Sequence, residues 1–198
     1  NPSLEPGTST GMALGPRGAA GLCSASRAKR HPGSGPSAQT LGLMTQSPSP
    51  DSKVLFRVLG DDSSAQVETL WATALGNDEY KLDNSPFYAY SVSWEDVVYA
   101  PFDATEGFAT FARVVRKSGH RTIRVIFNAP AQDGNESDLV LRGLVSLGCT
   151  YEGANRGYVS IDLPPGVQLE KVRQYLIEQG AQWEHADPTY AELFPNEA

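Results

Sequence analysis

The side chains in this chain that could do nucleophilic, acid–base or metal chemistry near neutral pH are few: His31, His120, His185, Cys23 and Cys149. His120 stands in Ser118-Gly119-His120-Arg121, where one pattern of elements ends and another begins. Junctions are common places for sites. An enzyme reading would make His120 the base, with an acid such as Asp96 and a cation such as Arg121. The plainer reading is a turn cap or an interface hydrogen bond, and it is preferred. His185 follows Trp183-Glu184 on a closing strand and reads as structural. Cys149 opens a strand just after a helix stop, where the helix dipole disfavours a thiolate, so it reads as a small buried hydrophobe. No Gly-x-Gly-x-x-Gly, Walker loop, Gly-x-Ser-x-Gly, His-Glu-x-x-His or Cys-x-x-Cys occurs. No catalytic residue, metal ligand or cofactor is assigned.

The carboxylate pairs are Asp61/Asp62, Asp78/Glu79 and Glu95/Asp96. Neighbours on an extended chain point to opposite faces, so none forms a proton-sharing pair. The first two sit in turn-like composition. Glu95/Asp96 lies close to Phe87, Tyr88, Tyr90 and Trp94, and these six residues form the candidate interaction face. His120 and Arg121 are the candidates at the junction. Residues 61–110 hold ten acidic residues and one basic, Lys81, whereas residues 111–124 hold Arg113, Arg116, Lys117, Arg121 and Arg124 and no acid. Such an asymmetry suits pairing between neighbouring strands. It also suits an acidic, aromatic face that steers in and anchors a basic protein.

The elements that must position these residues fall into two sets. Lys53–Leu59, Val67–Leu75, Glu79–Leu82, Asp96–Ala100 and Phe108–Arg116 read as short strands separated by turn residues. Phe87–Tyr90 reads as an aromatic loop or short helix. Five such strands suggest a small β-barrel or curled sheet. Beyond residue 119 the pattern is cleaner. Thr122–Phe127 is a strand, and Asn135–Gly148 a helix with Asn135 as cap and Gly148 as stop. Cys149–Gly153 and Tyr158–Leu163 are strands, Leu169–Gln179 a helix stopped by Gly180, and Ala181–His185 a strand. That order, βαββαβ, predicts a ferredoxin-like unit with both helices on one face of the sheet. Val159, Ile161 and Leu163 alternate with Tyr158, Ser160 and Asp162. The second set, with Thr150 and Glu152, is expected on an uncovered face too acidic for RNA recognition.

The expected fold class is therefore α+β: a barrel-like half over residues 51–118, a ferredoxin-like half over 119–198, and a tail over 1–50. The tail holds 8 Gly, 7 Pro and 8 Ser, with no Phe, Trp or Tyr. It cannot bury enough apolar surface to offset chain entropy and is expected to be disordered. Met44 is a candidate true start, which would make residues 1–43 an over-extended reading frame. The net charge is −7, which argues against general nucleic-acid binding. No stretch approaches the ~18–20 apolar residues of a membrane helix. Two cysteines exclude a disulfide-rich scaffold and a zinc site of several thiolates.

Three motifs carry a resemblance. They are Leu82-Asp83-Asn84-Ser85-Pro86-Phe87-Tyr88, then Ser93-Trp94-Glu95-Asp96-Val97-Val98-Tyr99-Ala100, then Arg113-Val114-Val115-Arg116-Lys117-Ser118-Gly119-His120. In this order they resemble the bacterial domain-of-unknown-function family 4265, from about Lys53 to about Trp183. The resemblance expects Gly where this chain has Glu95, so the turn there is expected to differ. It implies a small bacterial cytoplasmic domain and brings no activity, cofactor or catalytic residue. The expected function is a non-enzymatic protein-binding module, immunity- or antitoxin-like in its sharpest form. The alternatives are a small-molecule-binding regulatory module and an enzyme using His120.

Overall fold

The computed structural model describes residues 50–59, 65–155 and 157–197. The expectations for residues 1–49, including Cys23, His31 and Met44, and for Asp61/Asp62, lie outside them.

The molecule is α+β, mostly sheet with few helices. Strand β1 (Ser52–Leu59) pairs antiparallel with β2 (Ala65–Gly76), from Ser52↔Ala72 to Leu59↔Ala65. β2 turns into β3 (Glu79–Leu82) through Asn77 and Asp78, at φ 54° and 59°. Two successive left-handed residues match the twist of a tight hairpin. β4 (Val97–Tyr99) lies on the other edge of β3. β5 (Phe102–Asp103), β6 (Phe108–Thr110) and β7 (Arg113–Arg116) follow.

The single strand expected over Phe108–Arg116 is in two pieces because its partner changes. β6 runs parallel to β1, and β7 runs antiparallel to β4. The exchange takes place at two residues: Phe111 N donates to Leu55 O (2.8 Å) and Ala112 N to Tyr99 O (3.0 Å). One stretch of chain thereby touches both sides of the sheet and curls it around Val54, Phe56, Leu70, Ala72, Leu82 and Val98.

The second sheet contains β8 (Arg121–Ile126), β9 (Thr150–Asn155), β10 (Tyr158–Leu163) and β11 (Gln182–Asp187), in the order β11-β8-β10-β9. All its pairings are antiparallel. Helix α1 (Glu136–Ser146) connects β8 to β9, and α2 (Leu169–Glu178) connects β10 to β11. Asn135 Oδ1 accepts from Asp138 N at 2.9 Å, and Gly148 leaves α1 at φ 95°. Val140, Leu141 and Leu144 of α1 and Val172 and Leu176 of α2 share one core with Ile123, Val125, Val159, Ile161 and Leu163. Each such side chain contributes about 1.5–3 kcal/mol by leaving water. A short turn, α3 (Tyr190–Leu193), closes the chain with a Thr189–Glu192 capping box. Neither β5 nor α3 was foreseen.

The alternation in β10 holds, but its consequence differs. Ser160 and Asp162 are not presented to solvent; they are buried at 0% and 1% exposure. Pro86 of the first half caps Ser160, and His120 and Thr150 cap Asp162.

Candidate functional site

Residues 84–96 form no regular element. Pro86 lacks an N–H, and Ser91 and Glu95 sit at φ 57° and 64°. Their backbone groups must therefore find partners elsewhere. Three consecutive donors turn to the first sheet. Glu68 on β2 accepts from Phe87 N, Tyr88 N and Ala89 N at 2.7, 3.0 and 2.9 Å. Three carbonyls, and the Ser91 N–H that donates to Ala186 O, turn to the second sheet. Pro86 O accepts from Ser160 Oγ (2.8 Å), Phe87 O from the Tyr158 hydroxyl (2.5 Å), and Ala89 O from the Arg124 guanidinium. The segment is a polar filling between two sheets, not a short helix and not a free loop.

Further along, two carboxylates, one from the end of this segment and one from β11, share one ammonium. Lys117 Nζ donates to Asp96 Oδ2 at 3.1 Å and to both Asp187 oxygens at 2.8 Å. Asp96 is fully buried. It also accepts from Ser93 N (2.9 Å), Ser118 N (2.7 Å) and Ser118 Oγ (3.0 Å). Ser93 Oγ donates to Asp187 at 2.6 Å and lies 2.9 Å from Thr122 Oγ1. Arg124, 1% exposed, pairs with Glu184 (3.1 Å) and lies over the Tyr90 ring at 4.4 Å.

At the far end His120 Nδ1 lies 2.7 Å from Asp162 Oδ1, and Thr150 Oγ1 donates to Asp162 Oδ2 at 3.2 Å. Burial pushes the Asp162 carboxyl above the usual range, and the His120 hydrogen bond pulls it back. His120 Nε2 faces Glu95 Oε2 at 3.9 Å, and Lys81 Nζ is 3.6 Å from Glu95 Oε1. The Trp94 ring lies 5.7 Å from the imidazole.

The structure divides the expected interaction face. Phe87 and Asp96 are buried, so neither is a free contact surface; Tyr88 and Trp94 are half-buried; Tyr90 and Glu95 are exposed. The triad imagined for His120 is not assembled. Asp96 binds Lys117, and the Arg121 guanidinium turns away to Val167 O at 3.0 Å. Asp162 and Glu95 flank His120 instead. Glu95 holds the left-handed backbone that favours Gly, at a cost of roughly 1–2 kcal/mol. Glu68, Asp162 and Asp187 were missed by sequence reasoning, because a lone acid in a strand carries no mark of its distant donors.

Cys149 and His185 are both buried. Burial pushes the Cys149 thiol up to about 12, and the Asp162 charge adds to this. Cys149 is expected to resist iodoacetamide at pH 8 in the folded protein and to react fully in denaturant; rapid native labelling by mass spectrometry would contradict it. His185 is buried with neither ring nitrogen hydrogen-bonded. Burial, then the nearby Arg173 charge, lowers it to about 4. The unfolded chain therefore takes up this proton first as pH falls. The stability tied to neutral His185 is complete above pH ~6.5 and lost on descending towards pH 4. Urea midpoints of wild type and His185→Phe should diverge across that window, with the wild type falling faster by about 1–3 kcal/mol. Parallel curves would refute this.

Among the described residues no group of three His, Cys, Asp or Glu side chains is placed to hold a metal ion, and no helix is long and apolar enough to cross a membrane.

The family described as Domain of unknown function (DUF4265) matches residues 68–186. The chain belongs to this family. The DUF4265 match spans the curled sheet from β2 onward, the whole 84–96 segment and the second sheet through Ala186. A solved structure described as "Novel crystal structure of a hypothetical protein from Neisseria gonorrhoeae" is similar in fold, with TM-score 0.61 and 15% identity over 70% of this chain and 96% of that one. At that identity the likeness is one of fold alone. No curated protein matches the chain.

Proposed function

We propose that this DUF4265 protein is a non-enzymatic protein-binding module of the bacterial cytoplasm. It would take a basic partner across the rim of the seam between its two sheets, and its sharpest form is an immunity- or antitoxin-like inhibitor of a basic toxin. In this reading residues 51–118 and 119–198 are two subdomains, the second ferredoxin-like; the order β11-β8-β10-β9 supports that assignment. The observation that carries the function is the saturation of the seam. Glu68, Asp96 and Asp187 each accept two or more hydrogen bonds from within the chain. Their charges are committed to holding a shape and not to turning over a substrate. A preformed surface binds with little ordering cost. Its rim exposes Tyr90 beside Glu184, and Glu95 beside Trp94, an anchor-and-acid pattern suited to cationic partners.

The test is capture from source-cell lysate on the immobilised full chain at about 50 and about 500 mM salt, with Tyr90→Ala and Glu95→Lys as variants. One stoichiometric basic protein, lost at high salt and from both variants, is the expected result. A partner held equally by the variants places the surface elsewhere, and no basic protein at low salt ends this reading.

A further inference from the structure

We infer that the gap between His120 and Glu95 is a receptor for a primary ammonium group, the lysine side chain of a basic protein partner. This rests on the partner reading above and names one of its contacts.

The Asp162 carboxylate is 1% exposed and already takes the Thr150 hydroxyl. His120 Nδ1, 2.7 Å away, is its remaining donor in view. With His120 neutral and its Nδ1 proton given to Asp162, Nε2 is an acceptor. In that state it faces the Glu95 carboxylate at 3.9 Å, beyond hydrogen-bond range, and a donor set between the two satisfies both. An ammonium that donates to two acceptors at about 2.8 Å spans about 4.5 Å, within one small rotation of the half-exposed Glu95 side chain. The Trp94 ring borders the same gap, a further attraction for a cation.

Three neighbouring cations among the described residues have partners of their own. Lys81 is on the opposite oxygen of Glu95, Lys117 serves Asp96 and Asp187, and Arg121 reaches Val167 O. A compact ammonium with three rotatable donors fits two separate single acceptors. A planar guanidinium, built for paired oxygens, does not.

The test uses the full chain with 15N-labelled histidine. His120 ring nitrogens are followed by NMR at pH 7.5 while Nα-acetyl-lysine amide, the arginine analogue or the norleucine analogue is added. Saturable movement of Nε2 is expected with lysine amide and none with norleucine amide. Arginine amide and the Glu95→Gln variant should each raise the half-saturation about tenfold. An unmoved Nε2 overturns the inference. So do equal binding by Glu95→Gln and a free protein whose His120 carries protons on both nitrogens, since the imidazolium would then fill the gap itself. Binding of lysine amide without capture of any basic protein would leave this site standing and remove the partner reading. Capture through Tyr90 with an unmoved His120 would do the reverse.

Discussion

Glu68→Ala should lower the unfolding free energy by about 3–5 kcal/mol, read from urea denaturation. Glu68 is 8% exposed, and its two oxygens hold three consecutive backbone N–H groups, those of Phe87, Tyr88 and Ala89. Each buried donor left without a partner costs about 1–3 kcal/mol, and partial rearrangement of the segment brings the total below the sum. Glu68→Gln keeps the volume but turns an NH2 towards donors, so about 1–3 kcal/mol is expected. The order Ala, Gln, wild type from least to most stable is the signature. Near-neutral values for both variants would mean that Glu68 does not hold the segment. For a domain worth about 5–15 kcal/mol in total, the alanine change removes a large share.

Asp96→Ala should cost a similar amount, about 3–5 kcal/mol, for a different reason. It removes the carboxylate beneath Lys117 and deprives Ser93 N and Ser118 N of their acceptor. Lys117 is 46% exposed and Asp96 fully buried, so leaving the Asp96 side unpaired costs more than removing both partners. A Lys117→Met change on the Asp96→Asn background should therefore cost less than the two single changes added together, by about 1 kcal/mol or more. Lys117 retains Asp187 at 2.8 Å, so part of its own contribution persists without Asp96. Strict additivity would show that the shared ammonium couples nothing.

Much of the fold was legible in the chain because it rests on local rules. Asn135 and Gly148 bound α1, the Val159/Ile161/Leu163 alternation sets the helix-facing side of β10, and Glu79–Leu82 is found with the bounds expected. The site was legible only in part. The sequence groups Phe87, Tyr88, Tyr90, Trp94, Glu95 and Asp96 as one interaction face, whereas the structure buries Phe87 and Asp96, half-buries Tyr88 and Trp94, and exposes Tyr90 and Glu95. Polar alternation on a strand looks the same whether the other side meets water or a polar segment. Ser160 is buried beneath the carbonyl of Pro86, some seventy positions earlier, and Asp162 beneath His120 and Thr150. Arg124 lies between Ile123 and Val125, and nothing local reveals that Ala89 O and Glu184 await it. The split at Phe111-Ala112 has the same origin, since a change of strand partner leaves no trace in composition.

Native-state amide hydrogen exchange by NMR on the full chain tests the central claim, that residues 84–96 are an internal filling between two sheets. The amides of Phe87, Tyr88, Ala89 and Ser93 should exchange with the slow β-core amides of Leu70 and Ile123, through global unfolding. Exchange of those four at loop rates, while Leu70 and Ile123 stay protected, would return the segment to solvent and contradict the account.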